Sequence, residues 1–390
     1  MDYIPENSYL CISKAVDMID RKLYKTITDQ LFKGKVIILV GPRQVGKTTL
    51  LNVLVQQSNR RVLSLNCDEP EVQMMLTNTN VAKLRTIIGN NELVVIDEAQ
   101  KVDNIGLTLK LIADNIKEVQ VIATGSSAFE LRNRLNEPLT GRKFEYQMFP
   151  ISCGEIIDTY GLVEEKRTLE NRLIYGSYPD ILMHPEEARR YLTDLTQSYL
   201  YKDILSLDSL RKPQLIDKLL QALAFQIGSE VSTNELARTL QTDSKTIDKY
   251  IDLLEKCYVI FRLGGLSRNL RTELKRAKKI YFYDNGVRNA IIQQFAPVNL
   301  RDDIGALWEN FFIAERMKRN HYDGYYCNRY FWRTTLQQEI DLVEECDGTM
   351  TAFEMKWNLT KKVFFSKSFT DAYNVKETVV ITQDNYLDYL

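Results

Sequence analysis

The sequence predicts an α/β protein: a parallel sheet flanked by helices, then a helical region, then a smaller α/β unit. Three observations carry that reading. Apolar runs rich in β-branched residues, such as Val36–Val40 and Leu93-Val-Val-Ile-Asp-Glu98, end in glycine or acid, as strands buried on both faces of a parallel sheet do. Residues at helical spacing separate them, beginning with Leu50, Leu51, Leu54 and Val55. After residue 300 the pattern reads helix, three strands, helix, strand.

A chain of 390 residues exceeds one ordinary core, and the pattern divides it at 1–160, 161–270 and 271–390. Hydrophobic content of 44% with 26% charged residues is that of a globular protein. The net charge of −1 excludes a global field drawing the chain onto nucleic acid, so any such surface is local. The N-terminus shows no signal-peptide pattern, and no apolar run is long enough for a membrane span. Six scattered cysteines and two histidines argue against zinc and for reduced thiols in a cytoplasmic protein.

The first strand runs into Gly41-Pro-Arg-Gln-Val-Gly-Lys-Thr-Thr49, the spacing of a P-loop nucleotide site. Gly41 and Gly46 allow a tight turn, and Pro42, Gln44, Val45 and Thr49 complete the loop, whose backbone N–H groups, Pro42 excepted, cradle phosphates. Lys47 reaches the β- and γ-phosphates of ATP, and the Thr48 hydroxyl holds Mg²⁺.

Arg61-Val-Leu-Ser-Leu-Asn66 reads as the second strand and the run ending in Asp97-Glu98 as the third. An acid at the end of a neighbouring strand holds the Mg²⁺, which assigns Asp97; Glu98 then orients a water against the γ-phosphate. A fourth strand, Val119 to Thr124, leads into Gly125-Ser126-Ser127, where Thr124, Ser126 or neither senses the γ-phosphate. Arg132, Arg134 and Arg142 follow. Two readings stay open for them, transition-state stabilisation and surface ion pairing, with Arg142 the candidate catalytic arginine.

These motifs, with Val95-Ile-Asp-Glu-Ala-Gln-Lys101, Thr140-Gly-Arg142, Phe149-Pro-Ile-Ser152, Tyr175-Gly-Ser-Tyr-Pro179, Tyr201-Lys-Asp-Ile204 and Lys279-Ile-Tyr-Phe-Tyr-Asp-Asn-Gly286, resemble the prokaryotic AAA-type P-loop ATPases that carry a C-terminal domain of unknown function. The resemblance spans nearly the whole chain. It implies an ATPase core of the helicase-loader type and no settled cellular role.

In the middle third, Tyr191 to Ile204 reads as a helix, and Leu215, Leu219, Leu220 and Leu223 continue a helical stripe. A short helix from Val231 to Leu240, a turn, a helix with Ile247, Ile251 and Leu254 inward, and a strand from Tyr258 to Leu263 follow the order of a winged helix-turn-helix. The exposed face of its second helix, Lys245, Asp248, Lys249 and Asp252, is charge-balanced, so DNA binding and plain packing both stay open. The stretch 262–279 holds seven Lys/Arg against Glu273 alone, and reads as a phosphate-following patch or a solvated loop.

The αβββαβ order of the last third resembles the core of the PD-(D/E)XK nuclease fold, a restriction-endonuclease-like domain. Asp341 falls in the second strand, Glu354 and Lys356 share one face of the third, and Glu309 lies on the leading helix. Such a set binds Mg²⁺ through Asp341 and Glu354, orients water with Lys356, and completes the ligands with Glu309 through a water. Alternation on each strand explains the same residues as a surface pair. The function expected is a Mg²⁺-dependent ATPase coupled to a winged-helix and nuclease-like module acting on DNA. The alternative is a nucleotide-switched scaffold for a protein partner or a second copy, with an inert C-terminal domain and no membrane association.

Overall fold

The structure, a computed structural model, describes residues 18–125, 139–200, 213–266, 278–334, 336–359 and 362–390. The first sheet holds five parallel strands: β1 (Val36–Val40), β2 (Val62–Asn66), β3 (Leu93–Asp97), β4 (Gln120–Gly125) and β5 (Lys143–Gln147). Their order is β2-β3-β4-β1-β5. β4 therefore lies between the strand of the phosphate loop and the strand of the acids, which are not direct neighbours. β5 has no counterpart in the sequence reading. Its five half-buried residues, Lys-Phe-Glu-Tyr-Gln, lie at a sheet edge and carry no apolar run.

Period two divides the core between the faces of this sheet. Ile37 and Leu39 pack with Leu50, Leu51 and Leu54 of the helix Lys47–Gln57. Val36, Ile38 and Val40 pack with Leu109 and Ile112 of the helix Ile105–Asn115. The first layer continues unbroken into Leu215, Leu219, Leu220 and Leu223 of the helix Pro213–Phe225. The ATPase-like unit and the helical region thus share one core.

The second sheet has seven strands: β6 (Glu230–Val231), β7 (Ile260–Gly265), β8 (Lys278–Phe282), β9 (Asn328–Arg333), β10 (Glu339–Cys346), β11 (Thr349–Met355) and β12 (Val375–Ile381). They run in the order β12-β11-β10-β9-β7-β8-β6. β8 pairs antiparallel with β6 and β7, and β7 runs parallel to β9 through Gly264–Tyr330 and Gly265–Phe331. The boundary drawn at residue 270 therefore falls between two strands of one sheet. Beyond it, the helix Ile304–Tyr322, the antiparallel β9-β10-β11, the helix Lys367–Thr370 and β12 parallel to β11 give the αβββαβ order.

Two of the sequence motifs meet each other. The Asp284 carboxylate accepts the Ser177 N–H at 2.7 Å and the Val287 N–H at 3.1 Å. It thereby caps the helix Asn285–Ile291 against the segment that follows the helix Leu162–Tyr175. Gly286 permits this contact, because a Cβ there would stand 2.0 Å from the Tyr175 carbonyl oxygen.

One expectation is corrected. Cys327 and Cys346, taken as unpaired thiols, form a disulfide with Cα atoms 4.9 Å apart. The β9–β10 register, which sets Asn328 opposite Glu345, brings them together across 19 residues of sequence. Cys67, Cys153 and Cys257 are buried thiols outside this disulfide. Among the described residues no helix is long and apolar enough to cross a membrane. Ser126, Arg132, Arg134, the segment Tyr201-Lys-Asp-Ile204 and the basic residues Arg268, Arg271, Lys275 and Arg276 lie outside the described residues.

Gly286→Ala forces a backbone carbonyl to move, so it should lower stability by about 2–3 kcal/mol, read as a lower urea midpoint. An unchanged midpoint would mean that the 285–291 helix shifts freely.

Candidate functional site

β1 delivers the phosphate loop to the edge of the first sheet, and Gly46, at φ 92° and ψ 25°, starts the helix Lys47–Gln57 from a left-handed conformation. Gly41 approaches the end of β5 so closely that a Cβ would lie 2.3 Å from the Met148 carbonyl oxygen. The Lys47 ammonium is buried inside the loop and donates to the carbonyls of Gly41 at 2.9 Å and Pro42 at 2.8 Å. Helix N–H groups and ammonium converge on one point, the arrangement that takes a polyphosphate.

Asp97 ends β3 beside this loop. Its Oδ2 accepts the Thr48 hydroxyl at 2.9 Å, and its Oδ1 accepts the Thr124 hydroxyl. Thr124 also accepts the Glu98 N–H at 3.2 Å and is fully buried. Glu98 itself is left-handed, at φ 52° and ψ 39°, a conformation costly for a residue with a Cβ and sustained here by the bonds around it. Gln100 donates to the Glu98 carboxylate and fixes its direction. Burial first, then the nearby Asp97, pushes the Cys67 thiol up to about 12, so it is no nucleophile.

The donor set suits Mg²⁺ with ATP: a hydroxyl and a carboxylate oxygen already in contact, leaving the other positions to phosphate and water. The sequence reading placed Asp97, Thr48 and Glu98 together. It left Thr124 undecided, and the inserted β4 is what brings that hydroxyl to Asp97.

Arg142 is not brought to this site. Its backbone carbonyl pairs with Val36, at the opposite end of β1 from Gly41, and its guanidinium holds Asp114 at 2.6 Å. Five residues of strand separate the two ends, roughly 16 Å, so within one chain Arg142 does not reach the phosphates.

A different arginine stands against the loop. Arg21 donates to the Val45 carbonyl at 2.5 Å, the Phe149 carbonyl at 2.6 Å and the Glu155 carboxylate at 2.9 Å. Tyr322, from the C-terminal helix, lies 3.5 Å from the same guanidinium and accepts the Phe149 N–H at 3.2 Å. No motif announced Arg21, because its partners are mostly backbone carbonyls. Beside it a cavity of about 200 Å³ is lined by Met18, Ile19, Thr49, Val53, Pro179 and Met183, apolar enough for a base.

The C-terminal residues also gather, but around lysines. Lys356 lies 2.8 Å from the Glu354 carboxylate and 3.8 Å from Asp341. Asp341 accepts the Met355 N–H at 2.9 Å. Glu309 accepts the Tyr281 hydroxyl at 2.6 Å and the Lys279 ammonium at 3.0 Å, and Lys279 lies 2.5 Å from Glu339. Burial, then the charge of Asp341, raises Glu309 and Glu354 to about 7 each. Burial opposes the charge on Lys279, yet Glu309, Asp341 and Glu339 together outweigh it and raise its pKa. Among the described residues no three His, Cys, Asp or Glu are grouped to hold a metal ion. The expected Mg²⁺ set does not fit here as it does at Asp97, because the carboxylates are committed to lysines. Glu339 was not singled out from the sequence, and Lys279, read there as part of a basic stretch, is instead buried among these acids.

Comparisons with known proteins match three stretches of the chain. Residues 33–157 match the family model of an AAA domain, residues 166–298 a domain of unknown function (DUF8612), and residues 304–389 a domain of unknown function (DUF4143). The chain is 25% identical over 340 residues to an uncharacterized protein of Mycobacterium tuberculosis, spanning 85% of this chain and 73% of the relative. It is 26% identical over 349 residues to an uncharacterized protein of Methanocaldococcus jannaschii, spanning 77% of this chain and 72% of the relative. Its fold is similar to that of the Walker-type ATPase of Pyrococcus abyssi, with a TM-score of 0.50 and 16% identity over 71% of this chain and 96% of the other. Residues 33–157 thus match an AAA domain, and the five-stranded parallel sheet they build fits a P-loop NTPase fold.

Thr124→Val keeps shape and removes the hydroxyl that holds Asp97 and the Glu98 N–H. ATP turnover should fall about 10–100-fold with ATP affinity nearly unchanged. A turnover within a factor of two of wild type would remove Thr124 from the site.

Proposed function

We propose that the protein is a Mg²⁺-dependent ATP hydrolase that uses its nucleotide state to reposition its C-terminal half. The observation that carries the proposal is Asp97 held between Thr48 and Thr124, with Glu98 fixed beside it. In this reading the loop and Lys47 bind the phosphates, Thr48 and Asp97 hold Mg²⁺, and the 200 Å³ cavity takes the base. Bound Mg²⁺ would offset charge on the β- and γ-phosphates. Glu98 accepts a proton from the attacking water and directs it in line. An arginine from a second copy would supply what Arg142 does not supply within one chain.

Repositioning runs through Arg21. Its guanidinium ties a carbonyl of the phosphate loop to Tyr322 at the end of the C-terminal helix. A phosphate that pulls Val45 inward changes the position of both.

DNA is the proposed partner. The order helix, β6, helix, helix, β7, β8, with β8 between its neighbours, supports a winged helix-turn-helix. Arg262 is taken by Asp252 and Glu255, which leaves the recognition-type helix Ser244–Lys256 without a dominant positive face. That observation favours the second reading, a nucleotide-switched scaffold for a protein partner. The C-terminal element order supports a nuclease-like fold, and order alone carries no phosphodiester cleavage.

Lys47→Ala should abolish binding of labelled ATP. Glu98→Gln should bind ATP and Mg²⁺ normally while phosphate release falls at least about 100-fold. Wild-type turnover by Glu98→Gln would assign the water to another residue. Duplex DNA should raise wild-type turnover; no response at low salt would leave the scaffold.

A further inference from the structure

We infer that the C-terminal carboxylate cluster takes no divalent cation because Lys279 already fills its cation position. This goes beyond the ATPase reading and does not depend on it, since it concerns the nucleotide-free protein and metal alone.

Four carboxylates face two ammonium groups. Glu309, Glu339, Asp341 and Glu354 supply the acids, and Lys279 and Lys356 the ammonium counter-charges, with Arg333 also 3.5 Å from Glu339. Lys279 is 2% exposed, so its charge is out of water and depends on these acids. It contacts Glu309 at 3.0 Å and Glu339 at 2.5 Å, bridging the helix Ile304–Tyr322 to the start of β10. Its position is that of an ion between carboxylates. The Tyr281 hydroxyl closes the Glu309 carboxylate from the same side of β8, at 2.6 Å.

The other two acids are each engaged through one oxygen. One Asp341 oxygen takes the Met355 N–H, and one Glu354 oxygen takes Lys356 at 2.8 Å. Mg²⁺ requires near-octahedral oxygens at roughly 2.1 Å and sheds water reluctantly. Seating it at Asp341 would bring it beside two fixed ammonium groups and strip Glu309 from Lys279. A lysine covalently attached to β8 is always present, whereas a metal ion must be recruited from dilute solution.

If Lys279 were only a structural ion pair, its removal would destabilise the fold and create nothing. If it stands in for a cation, its removal leaves Glu309 and Glu339 around an open position beside Asp341 and creates a divalent site. The test uses full-length, nucleotide-free protein and Mn²⁺ alone, with free Mn²⁺ read by electron paramagnetic resonance and stability by thermal unfolding. Asp341→Asn keeps an acceptor for the Met355 N–H, and it controls for any Mn²⁺ held at Asp97.

Wild type and Asp341→Asn should bind the same amount of Mn²⁺. Lys279→Ala should bind an additional equivalent, with Tm raised by about 3–5 °C at saturating Mn²⁺, and Asp341→Asn in that background should lose both gains. Mn²⁺ bound by wild type and lost in Asp341→Asn overturns the inference. So does a folded Lys279→Ala that gains nothing. Where Lys279→Ala fails to fold, Lys279→Met repeats the test with the stem retained, and the comparison of wild type with Asp341→Asn decides by itself.

Discussion

The buried Arg21 guanidinium is the interaction on which the arrangement of the three segments depends. It binds one carbonyl of the phosphate loop, one of the Phe149-Pro-Ile-Ser152 turn, the Glu155 carboxylate and, at longer range, the Tyr322 hydroxyl. Glu155 is fully buried and is itself locked in a capping box with Ser152. Taking this pair out of water costs several kcal/mol per ion, and only a full set of partners offsets it. Removing one partner would leave a buried charge uncompensated, about 3–5 kcal/mol. The pair therefore fixes where the loop, the turn and the C-terminal helix meet. Burial opposes the arginine's charge, and Glu155 and Tyr322 together more than restore it.

The helix Ile304–Tyr322 carries this constraint across the molecule. Tyr322 and His321 hold the backbone at the end of β5, next to the loop, while Glu309 stands in the C-terminal carboxylate cluster. Thirteen residues separate Glu309 from Tyr322, roughly 20 Å at 1.5 Å per residue. Midway, Glu315 joins Arg172 and Lys318 in a buried network with Glu165. Such a helix has little room to bend, because charged groups on its buried side must keep their partners. In the proposed repositioning, a displacement at Tyr322 would pass along this helix as rigid motion.

Elements with a single strong period were legible in the sequence. β1, β3 and β4 are apolar runs, and the C-terminal αβββαβ order follows from alternation and length. β5 was not, because an edge strand with five half-buried residues has no such run. Asp97 and Glu98 were legible because adjacent acids close an apolar strand. Thr124 was ambiguous, since a hydroxyl at a strand end has the same local chemistry whether or not an acid lies beside it. Arg142 stood open between a phosphate role and surface ion pairing, and the direction of β5, which sequence did not show, sets it at the far end from Gly41, where it pairs with Asp114. The Cys327–Cys346 bond depends on hairpin register, which composition does not encode.

The C-terminal cluster shows where motif reading stops. Asp341 and Glu354 lie on the neighbouring strands β10 and β11, and Lys356, which directly follows β11, reaches the Glu354 carboxylate. The group that sets their chemistry arrives from elsewhere. Lys279 belongs to β8, which enters the same sheet only because β7 pairs with β9. Two unit charges 4 Å apart interact by about 4 kcal/mol at an effective dielectric of 20, comparable to the whole advantage a weakly held metal ion would bring. One lysine from outside the 304–389 segment is therefore enough to decide the state of the acids inside it. The chemistry of that segment is a property of the joined sheet, and a segment cut at the start of its helix would lose the charge that balances it.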